Sequence, residues 1–215
     1  MLDTTSSQQV TANRKSCGVR DCRGAITLIM GCMFSGKTTE LLRRIDEVAS
    51  HRVMVFKHRI DNRYQRDAIV THGGKAHPAY VIESADELLV FADAHTTAGR
   101  ELDLIALDEA HFFESNIVST AQAIRDRGIH LAMTALDRDS WGRSFPLIDQ
   151  LANLADACIT KHATCAHCGG VGERTQRLRP VVTAGGFHRL SMVGGAESYE
   201  PRCRACWSPP PEFAI

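Results

Sequence analysis

Residues 25–38 read AITLIMGCMFSGKT, and this stretch decides the fold. The apolar run 25–30 suits a strand buried on both faces. It leads into Gly31, Cys32, Met33, Phe34, Ser35, Gly36, Lys37 and Thr38, which satisfy G-x-x-x-x-G-K-[ST] in full. Beyond it, residues 38–50 carry Leu41, Leu42, Ile45 and Val48 at helical spacing. The motif therefore lies between a predicted strand and a predicted helix, the context it requires. Glycines let the backbone curl so that successive N–H groups face phosphate oxygens, at a helix N-terminus whose dipole favours anions. Lys37 can reach the outer phosphates, and the Thr38 hydroxyl can ligate Mg²⁺. The whole loop, from Gly31 through Met33, Phe34, Ser35 and Gly36 to Lys37 and Thr38, is the expected ATP-phosphate cradle.

Outward from this unit, strands are predicted at 53–56, 80–82, 102–107, 129–136 and 157–160. Helices are predicted at 84–94, 115–127 and 147–155. Ser84 and Glu87 have the S-x-x-E form of a capping box, and Gly128 stands just past a helix end. Strands alternating with helices point to an α/β fold with a parallel sheet. The polar stretch 58–77 is too long for a simple connection and is expected to be functional or locally structured.

A phosphate-binding loop needs a carboxylate at the end of a second apolar strand. Residues 104–109, LIALDE, supply Asp108 as the Mg²⁺ partner and Glu109 as a base near an acceptor. Residues 108–111 also spell the box of one helicase class, but a helicase needs two motor cores and 215 residues hold barely one.

Eight cysteines include two C-x-x-C pairs, Cys165/Cys168 and Cys203/Cys206, with 34 residues between Cys168 and Cys203. Two such knuckles at hairpin tips make a four-thiolate zinc ribbon, and full protein coordination makes that zinc structural. His162 and His167 are surplus to this ligand set and are expected to be exposed. The chain divides accordingly into a loose arm at 1–23, a phosphate-loop α/β domain at 24–163, a zinc-ribbon module at 164–207 and a tail at 208–215.

With 44% hydrophobic and 23% charged residues and zero formal net charge, the composition excludes a wholly disordered chain. No apolar run approaches the ~18 residues of a membrane span. Residues 1–9 lack the basic and apolar regions of a secretory signal, so a cytoplasmic location is expected. Balanced charge offers no global field to draw in nucleic acid or an anionic membrane.

From about Gly24 to Trp207 the chain resembles the thymidine kinases of the type II family. The carriers of the resemblance are GCMFSGKTTE at 31–40, Asp61 to Tyr64, Thr71 with His72, Asp108-Glu109 with Phe112-Phe113, residues 135–137, Thr175 with Arg177-Leu178, and GGAESY at 194–199. The resemblance implies an ATP- and Mg²⁺-dependent kinase acting on the 5′-hydroxyl of thymidine. In it Glu109 would be the general base and Arg63 would stabilise the transferring phosphoryl group alongside Lys37. Asp61 would bind the sugar, while Met33, Phe112, Phe145, Thr175 and Tyr199 would form the thymine pocket. It further implies a homotetramer and feedback inhibition by dTTP. Here His111 replaces the family's usual Gln, Ser140 with Trp141 alters its substrate-covering loop, and Ser198 replaces a usual Lys. Two other readings keep some of these residues: a kinase for another pyrimidine nucleoside, and a non-catalytic nucleotide-binding regulator bearing a zinc ribbon. The regulator needs neither Glu109 nor Arg63.

Overall fold

A computed structural model describes residues 24–61, 67–71, 73–179 and 194–210. In chain order the elements are β1 (Ile26–Gly31), α1 (Lys37–Asp46), β2 (Val53–His58), β3 (Ala68–Val70), β4 (Ala76–Pro78), β5 (Tyr80–Ile82), α2 (Asp86–Thr97), β6 (Leu104–Asp108), α3 (Asn116–Asp126), β7 (His130–Ala135), α4 (Pro146–Leu154) and β8 (Ala157–Lys161). Four short strands follow: β9 (Ala163–Thr164), β10 (Val171–Gly172), β11 (Arg174–Arg177) and β12 (Tyr199–Arg202).

Six strands form one sheet in the order β5-β2-β6-β7-β1-β8, and every pairing is parallel. The chain leaves β1 for β2 on one side and returns beyond it for β8 on the other. From β2 the chain moves outward to β5, and from neighbouring β6 inward to β7. Strand order therefore reverses between β2 and β6, and such a switch point is where open α/β sheets bind ligands. The phosphate loop follows β1 directly.

Apolar side chains of successive strand residues go to opposite faces, and both faces are covered. Ile26 and Leu28 join Ile105, Leu107 and Met133 in a cluster closed by Leu88 of α2, Ile117 and Ile124 of α3, and Leu151 of α4. Ile29, Val55, Ala106 and Ala132 face the other way, against Leu41, Leu42 and Ile45 of α1. Burying each such aliphatic side chain contributes about 1.5–3 kcal/mol. This two-sided burial is why the strands read as continuous apolar runs.

Helix ends match their sequence signals with one adjustment. Glu87 Oε1 accepts the Ser84 N–H at 2.9 Å, as a capping box requires, but the Ser84 hydroxyl accepts from Asp86 rather than from Glu87. Gly128 adopts φ +80° just beyond α3, and Pro146 opens α4, where its missing N–H costs nothing.

The polar stretch 58–77 is locally structured, as expected: β3 and β4 form an antiparallel hairpin that reaches Pro78, with Val70 paired to Ala76 and Ala68 to Pro78. Its three-residue strands are too short for alternation to register. One detail is corrected: the cysteine pairs are not both at hairpin tips. Cys165 and Cys168 occupy the turn between antiparallel β9 and β10, but Cys203 and Cys206 follow β12, whose partner is β11. Among the described residues, no helix is long and apolar enough to cross a membrane.

Candidate active site

Two glycines shape the phosphate loop. Gly31 has φ +148°, and a Cβ there would lie 2.2 Å from the Lys161 carbonyl oxygen, so no side chain fits. Gly36 has φ +81° and immediately precedes α1, with open space where its Cβ would be. The turn thus presents backbone N–H groups at a helix start. Lys37 folds back beneath the loop, its ammonium donating to the Cys32 carbonyl at 2.8 Å.

Asp108 ends β6 opposite this loop. The Thr38 hydroxyl stands 3.3 and 3.4 Å from its two carboxylate oxygens, so the pair predicted to hold Mg²⁺ is assembled. Thr134, fully buried on β7, donates to Asp108 and accepts the Glu109 N–H at 2.9 Å. One hydroxyl therefore fixes both acidic residues. Sequence reasoning missed Thr134, whose only signal is a hydroxyl inside an otherwise apolar strand.

Glu109 adopts left-handed backbone, φ 56° and ψ 51°. For a non-glycine residue this costs about 1–3 kcal/mol, and such strain concentrates at functional sites. His111 lies on the following turn with Nδ1 3.4 Å from Glu109 Oε2. The same nitrogen lies 3.3 Å from the Leu136 backbone nitrogen, so it meets an N–H donor and a carboxylate at once. The His111 ring packs against Phe112 and Phe145, with centroids 4.3 and 5.5 Å away.

These groups share a cavity of about 240 Å³. Met33, Gly36, Lys37 and Thr38 line it from the phosphate loop, and Asp108 and Glu109 from the end of β6. Lys57 and Asp61 line it from β2 and the following turn, and Gly195 from the far segment. Lys57 is a second cavity-lining residue that the sequence reading missed. It is 2% exposed, donates to the Ala68 carbonyl at 3.1 Å and lies 3.8 Å from Asp61 Oδ2.

Of the predicted nucleoside contacts, Met33 and Asp61 line this cavity. Tyr199 is buried in a cluster with Met33 and Leu136, against which Phe145 packs. The Thr175 hydroxyl accepts the Met33 N–H at 3.1 Å, and the Tyr199 hydroxyl accepts from Arg177 at 3.1 Å. Phe112 is fully buried between the His111 and His58 rings. Arg63 lies outside the described residues.

The four cysteine sulfurs of Cys165, Cys168, Cys203 and Cys206 all lie within 4.8 Å of one another, and Cys168 Sγ is 3.7 Å from Cys203 Sγ. A tetrahedral site with ~2.3 Å zinc–sulfur bonds has sulfur–sulfur edges of about 3.8 Å, so the geometry fits such an ion. Burial works to raise the Cys165 thiol, but the Cys203, Cys168 and His167 backbone N–H groups outweigh it and bring the thiol down to about 6. The neighbouring Cys203 thiol, with burial, pushes Cys206 up to about 12. His162 and His167 are exposed, as expected. This module grips the phosphate loop through Cys32 Sγ, which donates to the Gly172 carbonyl at 3.4 Å, and through the Thr175–Met33 bond.

Residues 24–207 match the sequence model of the family described as thymidine kinase. A thymidine kinase of Mycoplasma capricolum is 37% identical over 189 residues, spanning 87% of this chain and 90% of that protein.

Proposed function

Because this chain belongs to the thymidine kinase family, we propose that its cavity aligns thymidine with ATP and transfers the γ-phosphoryl group to the nucleoside 5′-hydroxyl, giving thymidine monophosphate. The observation that carries this reading is the convergence of Lys37, Asp61 and Glu109 on one cavity, beside the Thr38–Asp108 pair. A regulator that only binds nucleotide needs the phosphate loop but no acid held in strained backbone across from it.

Phosphoryl transfer demands mainly positioning and charge neutralisation. The curled loop and Lys37 bind and orient the ATP phosphates, and Asp61 accepts a hydrogen bond from the sugar. Glu109 takes the proton from the 5′-hydroxyl as its oxygen attacks. Arg63 adds positive charge at the transferring group. Mg²⁺ arriving with ATP would be held by Thr38 and Asp108 and would neutralise charge between the phosphates. Met33, Phe112, Phe145, Thr175 and Tyr199 form the wall and backing of the thymine pocket. The division into a loose arm (1–23), a catalytic α/β domain (24–163), a zinc-ribbon module (164–207) and a tail (208–215) belongs to this reading. So do a cytoplasmic location, a homotetramer and feedback inhibition by dTTP.

The base pocket sets a graded specificity. A site that reads the ring's hydrogen-bonding edge rejects a mismatched base by roughly 10⁴-fold, whereas one methyl group is worth only ~10–200-fold. Thymidine should be preferred, deoxyuridine accepted and deoxycytidine poor when kcat/KM is measured for all three. Deoxycytidine matching thymidine would show that the altered loop at Ser140 and Trp141 has changed the substrate.

The four-cysteine site is proposed to hold one structural Zn²⁺ per chain. Elemental analysis should find about one zinc per chain, and Cys203→Ser should lose the metal and loosen the module that holds Met33 in place. Purified wild-type protein with well under one zinc would contradict the assignment.

A further inference from the structure

We propose that Lys57 is a positioning residue for the nucleoside, orienting the Asp61 carboxylate towards the sugar. The proposal rests on the reading of Asp61 as the sugar ligand. Lys57 follows the apolar run Val53–Phe56 of β2, one residue before the strand ends at His58, and at 2% exposure its charge is out of water. A buried ammonium is tolerated only where partners compensate it. Two such partners are the Asp61 carboxylate at 3.8 Å and the Ala68 carbonyl at 3.1 Å.

Those two groups bracket the stretch that carries Arg63. The Asp61 N–H donates to the His58 carbonyl at 2.9 Å, and this turn fixes where Asp61 begins. Lys57 fixes where its carboxylate points, and it joins that carboxylate to the start of β3. In the β2–β6 ladder Lys57 is paired with Asp108, so its stem leaves the same end of the sheet as the acidic residues. Lys57, Asp61, Asp108 and Glu109 all line one cavity. Packing alone does not require an ammonium at this position, because an unbranched apolar side chain such as methionine would fill the channel of the stem. The charge is there to hold another charge still.

The test compares Lys57→Met, Asp61→Asn and the double variant in the full-length protein. Readouts are KM for thymidine, kcat, and Kd for ATP by calorimetry. Each single variant should raise KM for thymidine about 10- to 100-fold, the range of a hydrogen bond to a charged group, with ATP affinity within twofold of wild type. Since Lys57 acts through Asp61, the double variant should be no worse than Asp61→Asn. The double variant carries no buried charge at the pair, so it decides the matter even where Lys57→Met folds poorly. Lys57→Met with a wild-type KM beside an impaired Asp61→Asn would overturn the proposal. So would a double variant more than tenfold worse than Asp61→Asn. An unchanged KM in Asp61→Asn would instead remove Asp61 from the sugar site, and the proposal with it.

Discussion

Glu109→Gln should lower turnover at least ~100-fold while leaving ATP and thymidine binding near wild type. Glutamine keeps the size and the hydrogen-bonding reach of the side chain but cannot accept a proton, and general-base contributions run to about 10²–10⁴-fold. The backbone should not object. Glutamine gains no freedom at φ 56°, and the Thr134 bond to the residue 109 N–H does not involve the side chain. Folding and binding are thereby separated from chemistry. Pre-steady-state phosphoryl transfer is the cleanest check, because product release can mask a slowed chemical step. A glutamine variant with near-normal turnover would mean that another group or water takes the proton.

Lys37→Ala should lower kcat about 10²–10³-fold, the usual effect of removing one preorganised donor that meets charge developing in the transition state. Within the described residues the ammonium's hydrogen bond is to the Cys32 carbonyl, and that bond is given up. The fold should therefore survive, since Gly31, Gly36 and the buried face of α1 shape the loop independently of the lysine. Circular dichroism and thermal unfolding should track wild type while saturating ATP fails to restore kcat. Normal kcat at saturating ATP would reduce Lys37 to a ground-state binding residue.

What the sequence shows of this site and what it hides have physical causes. The loop from Gly31 to Thr38 is legible because backbone curvature demands glycine at fixed places and phosphate demands Lys and Thr at fixed offsets. Asp108 and Glu109 are legible because an apolar strand that ends in two acids has few structural uses. The four cysteines are legible from pair spacing, and the sulfurs do converge. Thr134 and Lys57 are not legible. Each is a polar residue in an apolar strand, and only the register of β7 and β2 beside β6 shows that they face Asp108 and its neighbours. The β3–β4 hairpin escapes for a different reason, since strands of three residues carry no period.

His111 is the instructive middle case. Its departure from the family's usual residue is visible in the sequence, but its meaning is not. The structure shows a buried imidazole whose Nδ1 meets both the Leu136 N–H and the Glu109 carboxylate. That contact depends on the tight turn at 110–112 folding residue 111 back towards residue 109, a local geometry that no spacing rule reports.

The most direct test is ADP formation by the zinc-loaded protein with Mg²⁺ and ATP, measured with and without thymidine, with the phosphorylated nucleoside identified. The account predicts slow background hydrolysis without nucleoside, and on adding thymidine a turnover of about 1–100 per second, with the phosphate on the 5′-oxygen. ADP formation no faster with thymidine than without it, in folded protein that binds ATP, would contradict the assignment.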